Sequence, residues 1–503
     1  MSVDYYRELM ADHPHRRAQA ENDADDRGGY LFGPGPRQRR LRVLLDLDTL
    51  AEDMAGTAVW NQFRRLTGFG HIDLWRVSLS PNQPQPKRGE LGVLYLKDLP
   101  DVGGWSTLTG SQFGYHLRDH NINRSGVVRL KPTPPQPEPD PDRKHLTRAI
   151  VLSEAARAAG ADIVVSRAPT VGRADLEVNY ETNFFTPEQA VVITAHYLRT
   201  QHIYPLPGGS TRTIRQNFYE SAVWALAPGV FDWQAKCTRN ASQSAHTAAC
   251  TDMINRFMRA LRAFDDLLLH LGQASSPESS EDAAEALDLM LLMLCGAIDV
   301  LGRSLHPALH LPGQPKDAKL HIEKNYYIPR IRPLFADHPD IERLDALQVA
   351  IQVVFELRNT VHNLSLRAMG GGLNPALGAP VSKGRRTLFI PPDIGKILFG
   401  LEEEDRRRWG LHGAASFPAL AGLGDRLDGL KPRSADMADF AAMALSSTLT
   451  FADQLCRLFA STDIPDKDPV LTGIAAVTHP HLNTQTLTTI GAWMNLPDPL
   501  PHD

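Results

Sequence analysis

Apolar residues follow two rhythms along this chain, and the change of rhythm divides it. Between residues 41 and 205, short aliphatic runs alternate with segments of helical spacing. "LRVLLDLDTL" (41–50) is strand-like and ends in acidic residues, and "AEDMAGTAVWNQFRRL" (51–66) has apolar positions three and four apart. "HIDLWRVSLS" (71–80) and "LGVLYLKDL" (91–99) return to strand character. "HLTRAIVLSEAARAAGADIVVSRAP" (145–169) predicts a helix closed by Gly160 and followed by a buried strand. "FTPEQAVVITAHYLRT" (185–200) predicts a helix with Thr186 as its N-cap and Pro187 in its first turn. Alternating strands and helices imply a layered α/β domain over 41–205.

From about residue 211 the strand-like alternation nearly disappears and apolar residues recur at threes and fours. Candidate helices cover about 247–272, 281–304, 340–369 and 434–461, and "KGRRTLFIPPDIGKILF" (383–399) is a short hairpin or loop between the last two. The expected fold is therefore an α/β N-terminal domain followed by a mostly α-helical bundle. The expected division is a flexible tail over 1–40, the α/β domain over 41–205 and a connection over 206–246. The bundle follows over 247–465, with a C-terminal extension over 466–503. The proline-rich "KPTPPQPEPDPD" (131–142) is an extended connection inside the first domain, and "GQASSPESSED" (272–282) a surface one in the second. No repeat of solenoid period is present.

Composition narrows the classes. The chain has 503 residues, too many for one ordinary core. A formal charge of -5 gives no global attraction to nucleic acid, so any RNA contact has to be local. Cys237, Cys250, Cys295 and Cys456 are widely spaced without a CxxC pair, which predicts buried free thiols. The charged N-terminus lacks an apolar core, and "ALDLMLLMLCGAIDVLG" (286–302) carries Asp288 and Asp299 and is short for a membrane span. A cytoplasmic protein without membrane segments is expected.

One segment departs from its surroundings. In "LDALQVAIQVVFELRNTVHNLSLRAM" (344–369), Leu347, Ile351, Val354 and Val361 share one helical stripe. Arg358 falls within about 20° of the same direction, with His362 one turn further on. A charge on a packing face needs a carboxylate from a neighbouring helix, a dimer interface or a cleft. An arginine that steadies a phosphate, with a histidine that moves the proton of a ribose 2′-hydroxyl or of the leaving oxygen, can cleave a phosphodiester without metal or cofactor.

"ELRNTVHNL", on the third long helix of a bundle, resembles the HEPN families; the resemblance covers about residues 247–465. It implies a metal-independent ribonuclease, of the kind that serves as toxin or antiviral effector, in which two such helices meet across a homodimer to form one RNA-cleaving cleft. Arg358 and His362 would be catalytic, and Asn359 would orient the phosphate or His362. Three residues separate Arg358 from His362 here, where the family more often has four to six. Non-catalytic HEPN-like bundles, used for assembly or ligand sensing, are the alternative.

In the α/β half, Asp46 and Asp48 stand at a strand carboxyl end, where such folds present ligands. "SEAARAAGADIVVSRAP" resembles the closing helix and strand of PIN-like nuclease domains, over about 41–205. That resemblance implies a carboxylate cage for a divalent cation, for which Asp46, Asp48 and Glu154 are the available candidates. Arg167 follows the strand where an acid is expected, so a degenerate PIN-like or generic Rossmann-like domain, with ordinary strand-end and capping roles for the aspartates, stands beside it. No Walker, GxGxxG or HExxH string occurs. "HLRDH" (116–120), "THPHLN" (478–483) and the tail arginines Arg37, Arg39, Arg40 and Arg42 are weaker candidates for metal or phosphate. Arg385 and Arg386 are candidate substrate-binding residues at the border of the Arg358 cleft.

Overall fold

A computed structural model describes residues 40–46, 48–50, 57–69, 71–78, 90–95, 152, 161–168, 183–207, 212–238, 244–272 and 277–363. It further describes 368–370, 386–390, 394, 397–398, 401–412, 434–461 and 484–500. The chain forms two compact units, residues 1–212 and 213–503.

The first unit is built on five parallel strands: β1 (Leu41–Asp46), β2 (Ile72–Ser78), β3 (Glu90–Tyr95), β4 (Ile163–Val165) and β5 (Asn183–Phe185). Their order is β3-β2-β1-β4-β5. Val43 on the central β1 pairs with Leu74 on one side and Ile163 on the other. Val43, Leu44, Val164 and Val165 are completely buried, which explains the unbroken aliphatic runs: a central parallel strand is covered on both faces and has no solvent side to mark with polar residues. Helix α1 (Ala58–Thr67) packs on helix α2 (Pro187–Thr200). The expected cap of α2 is present as a full capping box, in which the Gln189 amide N–H donates to Thr186 Oγ1 at 3.3 Å and the Thr186 amide N–H donates to Gln189 Oε1 at 3.0 Å.

The second unit is mainly helical. Four long helices, α5 (Ser244–Leu271), α6 (Pro277–Ala308), α7 (Ile341–Asn363) and α9 (Met437–Ser461), make its core with the shorter α3 (Arg215–Leu226) and α4 (Pro228–Thr238). Between α7 and α9 lies the six-residue helix α8 (Glu403–Arg408). Leu287, Leu291, Leu294, Phe257, Phe440 and Phe451 are fully enclosed. Polar anchors set the register. Tyr219 Oη donates to Asp265 Oδ2 at 2.7 Å between α3 and α5. The Gly229 amide donates to Asp453 Oδ1 at 2.6 Å between α4 and α9. A Cβ at Gly229 would stand 2.5 Å from the Asp453 carbonyl oxygen, so α4 approaches α9 this closely because that residue has none.

Three expectations are corrected here. The stretch 206–246, expected to be a connection, carries α3 and α4; their Phe218, Val223, Val230 and Trp233 are buried against several neighbours, so no single apolar stripe announces them. The extension 466–503 carries α10 (Thr484–Met494), which packs on α3 and buries Ile490 and Trp493. Finally, the helical unit contains an antiparallel sheet of four short strands: β6 (Ala368–Gly370), β7 (Arg386–Phe389), β8 (Leu411–His412) and β9 (Ser434–Asp436), in the order β8-β9-β7-β6. Helix α7 consequently ends at Asn363, short of 369, and α9 starts at Met437, where Asp436 Oδ1 accepts the Ala438 and Asp439 amides at 3.0 and 3.1 Å. Strands of two to four residues are too short to display a period.

All four cysteines are free and buried, as their spacing predicts. Among the described residues no helix is long and apolar enough to cross a membrane.

Candidate functional site

Helix α7 places Leu347, Ile351 and Val354 in the core at no more than 2% exposure, as its stripe predicts. Phe355 and Leu357 are buried as well, while Glu356 and Asn359 are exposed. Arg358 is half-buried at the end of this run. Its Nε is enclosed without a hydrogen-bond partner, and its Nη1 donates to Asn359 Oδ1 at 3.3 Å. Among the described residues no carboxylate lies within ion-pair distance of it. The backbone of residue 362 continues the helix one turn on, but the side chain of His362 lies outside the described residues.

The surroundings of Arg358 come from α6 and from the turn after it. Cys295 on α6 donates to the Val354 carbonyl at 3.7 Å. Burial pushes its thiol well up; the Arg358 guanidinium works against that shift and Asp299 with it. His321 lies flat on Phe355, ring centroids 3.9 Å apart and planes 10° apart. Burial pushes its imidazole down to about 4; Asp299 opposes this, while Lys319 and Arg358 add to it. The ring is half-buried, and its Nδ1 is enclosed without a partner. Asp299, His321, Arg358 and Asn359 thus form a polar group at the meeting of α6, α7 and their connecting segment. His321 has no signature in the sequence because "AKLHIEKN" (318–325) shows no periodicity and no motif; its stacking partner is 34 residues away.

A half-buried guanidinium with a nitrogen unpartnered, and no carboxylate beside it, among the described residues is short of an acceptor there. An external anion with several oxygens fits that shortage, and phosphate supplies them in the geometry guanidinium prefers.

The acidic candidates of the first unit are arranged differently. Asp46 is completely buried at the carboxyl end of β1, next to β4, where the strand order reverses direction. Its Oδ2 accepts from Thr49 Oγ1 and from Ser166 Oγ, each at 2.8 Å. The hydroxyls in turn accept the amides of Arg167 at 3.1 Å and Ala168 at 3.0 Å. Its carbonyl accepts the Leu50 amide at 3.0 Å, so the aspartate also shapes the turn that leaves the strand. Asp48 is exposed. Among the described residues no three His, Cys, Asp or Glu side chains gather as a metal ion requires. Arg167 pairs with Glu188 at 2.5 Å on the surface. Glu154, Arg37, Arg39, Arg385 and the histidines of both weaker motifs lie outside the described residues; Arg386 begins β7, its backbone in register with Gly370.

Comparison with protein-family models, with curated proteins and with solved structures finds no match to this chain. The site is therefore interpreted from its own chemistry.

Proposed function

We propose that the helical unit is a HEPN-type, metal-independent endoribonuclease that cuts RNA in a composite cleft formed by two copies of the chain. The observation that carries the reading is the Arg358 guanidinium, half-buried on a packing helix with an orphaned Nε and no carboxylate partner among the described residues. In this reading Arg358 holds the scissile phosphodiester and spreads the charge that develops on it. Asn359, already in contact with the guanidinium, orients it or the phosphate. His362 moves a proton at the ribose 2′-hydroxyl or at the leaving oxygen. Leu289 and Leu292, which α6 leaves 47% and 41% exposed, support association of two helical units. The same two leucines favour the competing reading, a non-catalytic assembly or ligand-sensing bundle.

Cleavage of single-stranded RNA in excess chelator separates these readings. Wild type is expected to cut, and Arg358→Ala and His362→Ala to lose about 100-fold or more in rate. Undiminished cleavage by both variants removes the assignment. Cleavage abolished by chelator and restored by a divalent cation would move the activity to the acidic residues of the first unit.

A further inference from the structure

Helix α6 carries a seam on its open side. From Glu278 to Arg303 the outward residues recur at alternating steps of four and three, and each of them is exposed or half-buried. At about 100° per residue, the run from 278 to 303 closes on whole turns to within about 20°, so both ends of the line face the same way. Leu289 and Leu292 occupy its middle, among the few large apolar side chains that the described residues leave open. Spacing of this kind is how one helix packs along another.

The charges flanking the leucines are sorted by sign. Glu278 and Glu285 stand before them. Beyond them Arg303 lies on the line, and at Gly296 the Arg256 guanidinium of α5 fills the place where a Cβ would stand. Among the described residues none of these four has an ion-pair partner. The two remaining seam positions are acidic, and each has a basic side chain of its own unit beside it. His270 lies 3.5 Å from Asp282, and Asp299 belongs to the polar group around Arg358.

We infer that the α6 seam is the surface on which two copies of the chain pair, antiparallel, about a two-fold axis between Leu289 and Leu292. In that register position 289 meets 292, 285 meets 296 and 278 meets 303. Each leucine packs on the other leucine of the second copy. Glu285 reaches the Arg256 that covers Gly296 of the second copy, and Glu278 reaches its Arg303. The two-fold repeats every one of these contacts. Parallel pairing in register would set glutamate on glutamate and arginine on arginine. A shift of one heptad sets Leu289 against an acidic residue, Asp299 in one direction and Glu285 in the other. The layer that opposes association is Asp282 against Asp299, where the neighbouring basic side chains offset the repulsion. Both readings of the Arg358 group call for two copies, and the seam needs no chemistry at that group.

The test measures association of the full chain by sedimentation equilibrium. It compares wild type with Leu292→Glu, Glu278→Arg, Arg303→Glu and the double variant Glu278→Arg/Arg303→Glu. All three positions are exposed in the single chain, so the fold should survive, and melts followed by circular dichroism check this. Wild type is expected to dimerise at micromolar concentration. Leu292→Glu places a carboxylate from each copy in the apolar middle and should raise the dissociation constant about 100-fold or more. Each single charge reversal should raise it about tenfold, and the double variant, which exchanges the two signs, should return it to within about threefold of wild type. A wild type that stays monomeric overturns the inference. So does a Leu292→Glu chain that dimerises as tightly as wild type, or a double variant that dimerises no better than the single ones. RNA cleavage is read on the same samples. A monomeric Leu292→Glu chain that still cuts supports the seam and removes the composite cleft, and a dimeric wild type that cuts nothing supports the seam and removes the ribonuclease reading.

Discussion

Asp46 and Arg358 are each a charge placed where the chain is otherwise apolar, and they have opposite fates. Asp46 closes a buried strand and is surrounded by donors: two hydroxyls reach one carboxylate oxygen, and both hydroxyls are themselves held by backbone amides. Arg358 ends a buried run of helix with a nitrogen that nothing among the described residues accepts from. Saturation marks a residue the fold uses for itself. Vacancy marks one the fold supports at some cost, and such a residue is where an external partner gains most.

Substitutions can break this comparison. The largest effect is expected for Asp46→Ala, which takes the acceptor from the buried Ser166 hydroxyl and the part-buried Thr49 hydroxyl and should destabilise the first unit by about 3 kcal/mol. Denaturant unfolding followed through that unit checks it, and a loss below about 0.5 kcal/mol would place Asp46 among residues free for ligand chemistry. A smaller effect of opposite sign is expected at Asp288 on α6. Its Oδ1 is enclosed without a partner, and burial, aided by Glu285, pushes its carboxyl up to about 6. The unfolded chain ionises this group at lower pH than the folded one, so its contribution is full below about 4 and is lost as pH rises through 6. Asp288→Asn should therefore stabilise the helical unit by about 1 kcal/mol at pH 7.5, discounted for the half-exposed side chain, and by nearly nothing at pH 4. Equal effects at the two pH values would contradict the burial. The smallest change is expected for Arg358→Met, which keeps the packing and removes the orphan donor. Melting should shift upward by an amount worth about 0.5 kcal/mol, and under the proposed ribonuclease reading cleavage should be lost. A drop of 2 kcal/mol or more would mean that Arg358 is structural.

What the sequence showed follows the physics of each element. β1, the buried strand at 163–165 and the capped α2 were legible because full burial, period and capping chemistry are local. The stripe of α7 was legible for the same reason: Leu347, Ile351 and Val354 are buried along it, and Arg358, which rotation puts in nearly the same direction, is half-buried. Helices α3 and α4 were not, since their side chains meet neighbours on several sides. The four short strands of the second unit hold together through partners up to 49 residues apart, as with Thr387 and Asp436. His321 was invisible for a related reason: only the folded chain brings it to Phe355. Asp46 was noticed at a strand carboxyl end, but the hydroxyls that saturate it come from Thr49 and from Ser166, 120 residues further on.

The parallel sheet also sets an order of events in time. Its central strand, β1, cannot pair with β4 until the chain has been made past residue 165, because Val43 meets Ile163 across 120 intervening steps. Closing so long a loop costs entropy before any pairing repays it. During synthesis at roughly ten residues per second, the β4-facing edge of β1 therefore waits for on the order of ten seconds while only β2 can pair with the opposite edge. That interval is when the nascent chain is most open to misassociation.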